Sequence, residues 1–217
     1  ALHAAGYETT ALNLPGHEPG RPDSALKGLG LGEYADAVLA EMRKHEKPVL
    51  IGHSMGGLIS QLAAARGDAG ALVLISSAVP SPLFPLRPKT MIGTLRAFSN
   101  PLLYRSTLRL LRWEADYLLF NRLDAAGRPA CYELLIAESG RAAYQVAFGP
   151  LNLAGSNRVD KAAVTCPVLS LAGDITVEQA KALVTKYFGG IAPGAPVARQ
   201  QAWVPRLDAD IRDSMQD

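Results

Sequence analysis

The sequence predicts an α/β fold built on a parallel sheet. Two apolar runs, residues 49–51 and 71–79, are typical of buried parallel strands, and the amphipathic segment between them is typical of a helix. Two parallel strands joined by a helix form a βαβ unit, the repeating piece of such a sheet. Residues 164–171 supply a third apolar run. The 217 residues are enough for one domain with a sizeable core, or for one domain that carries an insertion.

The composition is that of a globular protein rather than of a disordered chain. Hydrophobic residues make up 48% of the sequence and charged residues 19%. The 22 basic and 20 acidic residues leave a net charge of +2, which indicates neither a nucleic-acid-binding surface nor any other charged partner. No apolar run is as long as a membrane span, and the first residues lack a signal-peptide pattern. With only Cys131 and Cys166, a disulfide framework is excluded, so we expect a cytoplasmic, reduced protein.

The functional prediction depends on the segment of residues 49–58. Its Gly-His-Ser-Met-Gly-Gly stretch, residues 52–57, follows an apolar run and precedes a helical pattern. A Gly-x-Ser-x-Gly turn between a strand and a helix predicts a nucleophile elbow, which presents Ser54 at the end of the strand. The turn strains the backbone of the serine, so small residues are expected two positions either side, and Gly52 and Gly56 occupy those positions. The alternative is a glycine-rich turn with an inert serine.

These residues resemble the α/β-hydrolase superfamily, in its esterase, lipase and peroxidase-like branches. The upstream stretch Leu-Asn-Leu-Pro-Gly-His at residues 12–17 adds to the resemblance, which extends from residue 1 to about residue 178 and is loosest in the middle third. It implies a mostly parallel sheet flanked by helices, a Ser-Asp-His triad and a helical cap inserted over the active site. The expected domains are a partial hydrolase core, residues 1–79 and 151–217, and a cap, residues 80–150.

The segments before the elbow follow this plan only in part. Residues 1–6 resemble the last turn of a helix closed by glycine, residues 7–14 alternate as a strand would, and residues 15–20 form a loop. A helix is predicted over residues 33–46, with Tyr34, Val38, Leu39 and Met42 on its apolar face. A start within a helix suggests that the chain begins inside a longer one. Relative to the family, we therefore expect N-terminal strands and the second oxyanion donor to be missing.

The cap region is basic at its start. Residues 80–113 contain six basic residues and no acidic one, and Arg105, Arg109 and Arg112 recur at helical spacing. One interpretation is a basic amphipathic lid that meets a membrane surface or an anionic substrate. The other is a solvated helix face whose arginine stems cover apolar surface. The second interpretation is favoured, so a membrane surface is not an expected partner.

The acid and the base of the implied triad differ in how well the sequence supplies them. Asp174 follows shortly after the third apolar run, where the resemblance implies the catalytic aspartate, although a helix N-cap explains it equally well. The family order is serine, acid, histidine, yet every histidine precedes the serine: His3, His17, His45 and His53. The expected catalytic histidine is therefore missing. His53 is expected to pack beside the strand, and His17 to bond backbone in its loop rather than serve as a substitute base.

The leading hypothesis is a serine hydrolase that acts on a carboxylic ester or a related acyl substrate. Ser54 would attack the carbonyl carbon, the Met55 N–H would hold the oxyanion, and Asp174 would orient a histidine that the chain lacks, which would impair activity. The expected partner is a small-molecule substrate, with no nucleic acid, cofactor or metal, and the oligomeric state is not predicted. The alternative is a non-catalytic α/β-hydrolase-like ligand-binding protein, or a truncated fragment.

Overall fold

The computed structural model describes residues 6–83, 95, 99–120, 123–149 and 154–171. The chain divides into two compact units: the first unit comprises residues 1–38 and 79–158, and the second unit residues 39–78 and 159–217. The predicted division into a core and a cap at residues 80–150 stays a prediction. In the described residues the helices are α1 (Leu31–Met42), α2 (Met55–Ala64), α3 (Arg112–Leu118), α4 (Arg128–Glu133) and α5 (Gly140–Ala147). The strands are β1 (Val49–His53), β2 (Ala71–Ile75), β3 (Thr107–Leu108), β4 (Glu138–Ser139) and β5 (Val168–Leu171).

The second unit contains a parallel sheet with the strand order β1-β2-β5. The predicted βαβ unit is confirmed, since β1 and β2 pair in parallel with α2 between them in the chain. His53 lies beside Ile75, and Ile75 lies beside Leu171, so the three strands end at the same edge of the sheet. Any side chain that follows one of these strands is therefore presented at this edge.

The burial of the strands follows their place in the described sheet. Strand β2 lies between two neighbours, and its first four residues are buried. Strand β1 has one described neighbour, and Val49 and Ile51 are 51% and 47% exposed. Helix α2 packs its apolar side chains inward, with Leu58 and Ile59 almost fully buried. Burial of a side chain of this size stabilises a fold by about 1.5–3 kcal/mol, so α2 holds the sheet from one side.

Helix α1 begins earlier and ends earlier than the predicted helix of residues 33–46. Its start is moved to Leu31 because the Gln145 side chain accepts a hydrogen bond from the Leu31 N–H, at 2.8 Å, and Glu33 accepts one from the Gly30 N–H. After Met42 the chain leaves the helix through tight turns and reaches Lys47, which has a φ of 45°. The predicted apolar face is correct in three of its four members: Tyr34, Leu39 and Met42 are buried, and Val38 is partly exposed.

At the start of the first unit one prediction fails, and a second falls largely outside the described residues. Residues 7–14 form neither a strand nor a helix, and Tyr7 and Leu12 are 40% and 39% exposed. An alternating pattern makes a strand only where a neighbouring strand pairs with it, and none of the described strands does. Gly6 has a φ of 85°, as a helix-closing glycine would, but the helix turn predicted before it lies outside the described residues.

The three arginines that recur at helical spacing in the sequence do not lie on one helix. Arg105 ends a short 3-10 turn (Leu103–Arg105), Arg109 follows strand β3, and Arg112 begins α3. Thr107 and Leu108 instead pair with Glu138 and Ser139 in an antiparallel ladder, a contact that spacing cannot reveal. A basic helical face made by these residues is therefore absent. Within the described part of the chain, no helix is long and apolar enough to cross a membrane.

Candidate functional site

Ser54 occupies a strained position between β1 and α2. Its backbone angles are φ 51° and ψ −122°, which lie outside the helical and the extended regions. A non-glycine residue in this region costs of order 1–3 kcal/mol and persists only where the surrounding structure enforces it. The strain that the sequence predicts at this serine is thus present. The side chain is exposed at the edge where the three parallel strands end.

Three backbone hydrogen bonds enforce the conformation of Ser54. Its N–H donates to the carbonyl of Ile75 at 3.0 Å, which continues the ladder between β1 and β2. Its carbonyl accepts from the N–H of Gly57 at 3.0 Å and from the N–H of Ala78 at 2.9 Å. The serine is therefore tied to the first turn of α2 and to the segment after β2 at once, which leaves its peptide little freedom to relax.

The glycines of the turn are not equally constrained. A Cβ on Gly52 would overlap the carbonyl of Gly56 and lie 2.6 Å from the Ser60 hydroxyl oxygen, so the need for a small residue is confirmed there. A Cβ on Gly56 would find no described atom within 4 Å outside the local helix backbone. The second tight position is Gly57, where a Cβ would lie 2.5 Å from the Ser77 hydroxyl oxygen. No pattern in the sequence indicates a steric role for Gly57, because its neighbour is contributed by the segment after the next strand.

Met55, the predicted oxyanion donor, lies at the start of α2. It is the first residue of α2, so its N–H is one of the four that an α-helix leaves without an intrahelical acceptor. The aligned peptide dipoles of the helix also concentrate positive charge at this end. An anion formed beside Ser54 would be stabilised by the Met55 N–H and by the positive end of the helix dipole. The catalytic roles of Ser54 and Met55 stay predictions.

The remaining predicted site residues have different fates. His53 is exposed, contrary to the expected packing beside the strand, because alternate residues of β1 lie on its exposed face. Asp174 lies outside the described residues, so its role as the acid stays a prediction. His45 is exposed and lies 3.3 Å from Glu41. His3 also lies outside the described residues.

His17 belongs to a half-buried cluster in the first unit. Its Nε2 lies 3.4 Å from one carboxylate oxygen of Glu138, and its side chain is only 12% exposed. The other carboxylate oxygen accepts from the Tyr34 hydroxyl at 2.7 Å and from the Ser139 N–H at 2.6 Å. The expectation that the His17 ring bonds backbone is therefore wrong, since its partner is a carboxylate. Tyr34 and Glu138 are 104 residues apart, and no sequence signal links them.

The electrostatics of this cluster favour a neutral tyrosine. Burial raises the pKa of Tyr34, and the hydrogen bond to Glu138 and the negative charges of Glu138 and Glu33 raise it further. Its hydroxyl consequently remains a donor at any ordinary pH. With the carboxylate on Nε2, the buried Nδ1 of His17 has no hydrogen-bond partner among the described residues. The cluster thus connects the loop after residue 14, helix α1 and strand β4.

A concavity of about 410 Å³ lies in the second unit, at the end of β1 opposite to Ser54. Its floor is formed by Leu39 and Met42, and charged side chains of both signs form its rim, including Arg43 and Asp68. Because the concavity does not contain Ser54, we do not assign the substrate to it. Among the described residues, no three His, Cys, Asp or Glu side chains are grouped as metal ligands would be.

The comparisons with known proteins bear on the family and on the fold. The sequence model of a protein family, described as the alpha/beta hydrolase family, matches residues 1–213. A pyrethroid hydrolase from Sphingobium faniae is similar in structure, with a TM-score of 0.54 and 21% identity over 98% of this chain and 87% of that one. An extracellular alpha/beta-hydrolase from a Paenibacillus species has a TM-score of 0.53 and 15% identity, over 85% of this chain and 89% of that one.

Tomato methylketone synthase I has a TM-score of 0.54 and 15% identity, over 85% of this chain and 75% of that one. No curated protein matches the sequence. At these identities the solved structures show the fold alone. The family assignment rests on the family model, which matches nearly the whole chain. The chain belongs to the alpha/beta hydrolase family.

Proposed function

We propose that this protein is a serine hydrolase that cleaves a carboxylic ester or a related acyl substrate with Ser54 as the nucleophile. The observation that carries the proposal is the conformation of Ser54, with a φ of 51°, exposed between the end of β1 and the start of α2. Strain of this kind is concentrated at functional sites, where the surrounding structure maintains it. Glycine would adopt these backbone angles without steric cost, so closing the turn does not by itself require a serine.

The chemistry follows from the groups at this edge. The Ser54 hydroxyl oxygen forms a bond to the carbonyl carbon, its proton goes to a base, and the carbonyl oxygen becomes an anion near the Met55 N–H. Collapse of this intermediate expels the alcohol with a proton and leaves an acyl ester on Ser54. Water then attacks the acyl ester and releases the acid, which restores the serine.

The catalytic base is the component of this mechanism that the sequence does not supply at the expected place. In the family order the histidine follows the serine, and the 163 residues after Ser54 contain none. A hydrolase without its base retains about a thousandfold acceleration over water, from oxyanion stabilisation and substrate binding. We therefore expect slow turnover, with Asp174 as the acid that would orient a base supplied from elsewhere.

The test is covalent labelling by a fluorophosphonate probe, followed by intact mass, alongside circular dichroism to confirm folding. We expect one adduct on the protein and none on Ser54→Ala. Ser76→Ala is the matched control, because Ser76 is also exposed, also has a positive φ of 44°, and follows the neighbouring strand without preceding a helix. Labelling that survives in Ser54→Ala would contradict the proposal.

A second candidate function is supported by the positions of the histidines. A hydrolase fold without a base after its serine fits a protein that binds a ligand without turnover. A folded protein that the probe leaves unlabelled, in both the original and the Ser54→Ala form, would favour this candidate over the hydrolase.

A further inference from the structure

We infer that Ser77 and Gln61 are positioning residues for Ser54, acting through a relay of hydrogen bonds that ends on the carbonyl of the nucleophile. The inference deepens the proposed function and rests on it for its catalytic meaning. The residues of the relay lie on helix α2 and on the segment that follows β2, all in the second unit.

The relay runs from the helix to the nucleophile in three steps. The Gln61 side-chain amide donates to the Ser77 hydroxyl oxygen at 3.0 Å. The Ser77 hydroxyl donates to the carbonyl of Ala78 at 2.9 Å. The N–H of Ala78 donates to the carbonyl of Ser54 at 2.9 Å. The bond from the Ser77 hydroxyl to the Ala78 carbonyl closes a ring that contains the planar Ser77–Ala78 peptide. The N–H of this peptide is the donor to Ser54, so the ring keeps it in the direction that the strained Ser54 peptide needs.

Packing at the start of α2 supports the same role. Ser77 lies directly against Gly57. A Cβ added at Gly57 would come within 2.5 Å of the Ser77 hydroxyl oxygen and 2.7 Å of the Ser77 Cβ. Gly57 is also the second donor to the Ser54 carbonyl. The Gln61 amide approaches the Gly57 carbonyl at 3.4 Å. Ser77 therefore contacts the residue that carries one donor to Ser54 and fixes the peptide that carries the other.

The relay distinguishes Ser77 from its neighbour Ser76. Ser76 is exposed, and its N–H bonds the carbonyl of Leu171 across the sheet, away from the elbow. Ser77 is half-buried, and its hydroxyl makes one hydrogen bond as an acceptor and one as a donor. A hydroxyl with both functions satisfied between two elements holds them in one arrangement, which a solvent-exposed hydroxyl does not do.

The test compares Ser77→Ala, Gln61→Met and the double variant with the original protein. The first readout is the three-bond coupling between the amide and α protons of Ser54, which reports its φ in solution. The second is the rate constant of fluorophosphonate labelling per folded molecule. Ser170→Ala is the matched control, since Ser170 is an exposed serine of the same sheet and lies on β5.

We expect Ser77→Ala to change the Ser54 coupling and to slow labelling about tenfold, the effect of losing one hydrogen bond to a constrained group. Gln61→Met should slow it less, and the double variant no more than Ser77→Ala, because both substitutions break one relay. A merely destabilising role would lower the folded fraction and leave both readouts unchanged.

An unchanged Ser54 coupling in Ser77→Ala would overturn the inference, as would a double variant whose effects simply add. If the original protein is not labelled at all, the proposed function fails, and the coupling of Ser54 in the variants still decides the inference. If the protein is labelled and Ser77→Ala behaves as Ser170→Ala does, the inference alone fails.

Discussion

The turn around Ser54 in the second unit and the His17–Glu138–Tyr34 cluster in the first unit are both polar arrangements, but they are built differently. The turn is held by backbone groups, and two of the three bonds to Ser54 come from the next strand or the segment after it. The cluster is held by one carboxylate, which joins residues more than a hundred positions apart in the chain.

The difference teaches how each region can be damaged. The backbone of the turn passes so close to itself that it is sensitive to any added atom at its tight positions. The cluster is sensitive to the loss of a single acceptor, because the Tyr34 hydroxyl and the Ser139 N–H donate to Glu138 and the His17 ring contacts it. A substitution that adds one carbon at a tight glycine should therefore damage the turn. A substitution that removes the Glu138 carboxylate should damage the cluster.

The largest effect is expected for Gly52→Ala. The new Cβ would overlap the carbonyl of Gly56, and a backbone group cannot move aside as a flexible side chain can. We expect a loss of about 3 kcal/mol in the free energy of unfolding, measured by urea denaturation. Gly56→Ala is the matched control, with an expected change near zero or a slight gain, since alanine favours a helix. Equal stability of the two variants would refute this account of the turn.

A smaller effect is expected for Glu138→Ala in the first unit. The substitution removes the acceptor of the Tyr34 hydroxyl and the Ser139 N–H, and should lower the free energy of unfolding by about 2 kcal/mol. Tyr34→Phe removes one donor only and should cost about 1 kcal/mol. Glu133→Ala, at an exposed site that ends α4, should cost nothing measurable. A Glu138→Ala protein as stable as Glu133→Ala would show that the Glu138 carboxylate does not stabilise the folded state.

The smallest effect concerns a thiol in the second unit that is shielded by burial. Burial raises the pKa of Cys166, and the negative charge of Asp68 raises it further. In a Cys131→Ser background, alkylation by iodoacetamide should therefore rise at a higher pH than for free cysteine, because only the thiolate reacts. Asp68→Asn should move the midpoint of this pH profile slightly downward.

The same shift has a consequence for stability. The folded state holds the thiol proton more tightly than the unfolded state, so the contribution is complete below the ordinary pKa of a thiol and is lost as the pH rises through the folded value. A Cys166→Ser protein should lack this alkaline loss. An alkylation profile of Cys166 equal to that of free cysteine would contradict both expectations.

What the sequence determined by itself is the central part of the second unit. Strands β1, β2 and β5, helix α2 and the strain at Ser54 follow from apolar runs and from a glycine motif whose parts lie within ten residues. Such patterns act over short distances along the chain, where steric limits on the backbone decide the outcome. The family resemblance rests on the same few residues.

The tertiary structure alone decided the rest. The strand predicted at residues 7–14 did not form, because none of the described strands pairs with it, and the helical spacing of three arginines was interrupted by the β3–β4 ladder. It also decided that Gly57 is a tight position, through Ser77, and that His17 contacts Glu138. These contacts join residues from 20 to more than 100 positions apart, and their energies depend on where the fold brings the partners together, which local pattern does not encode.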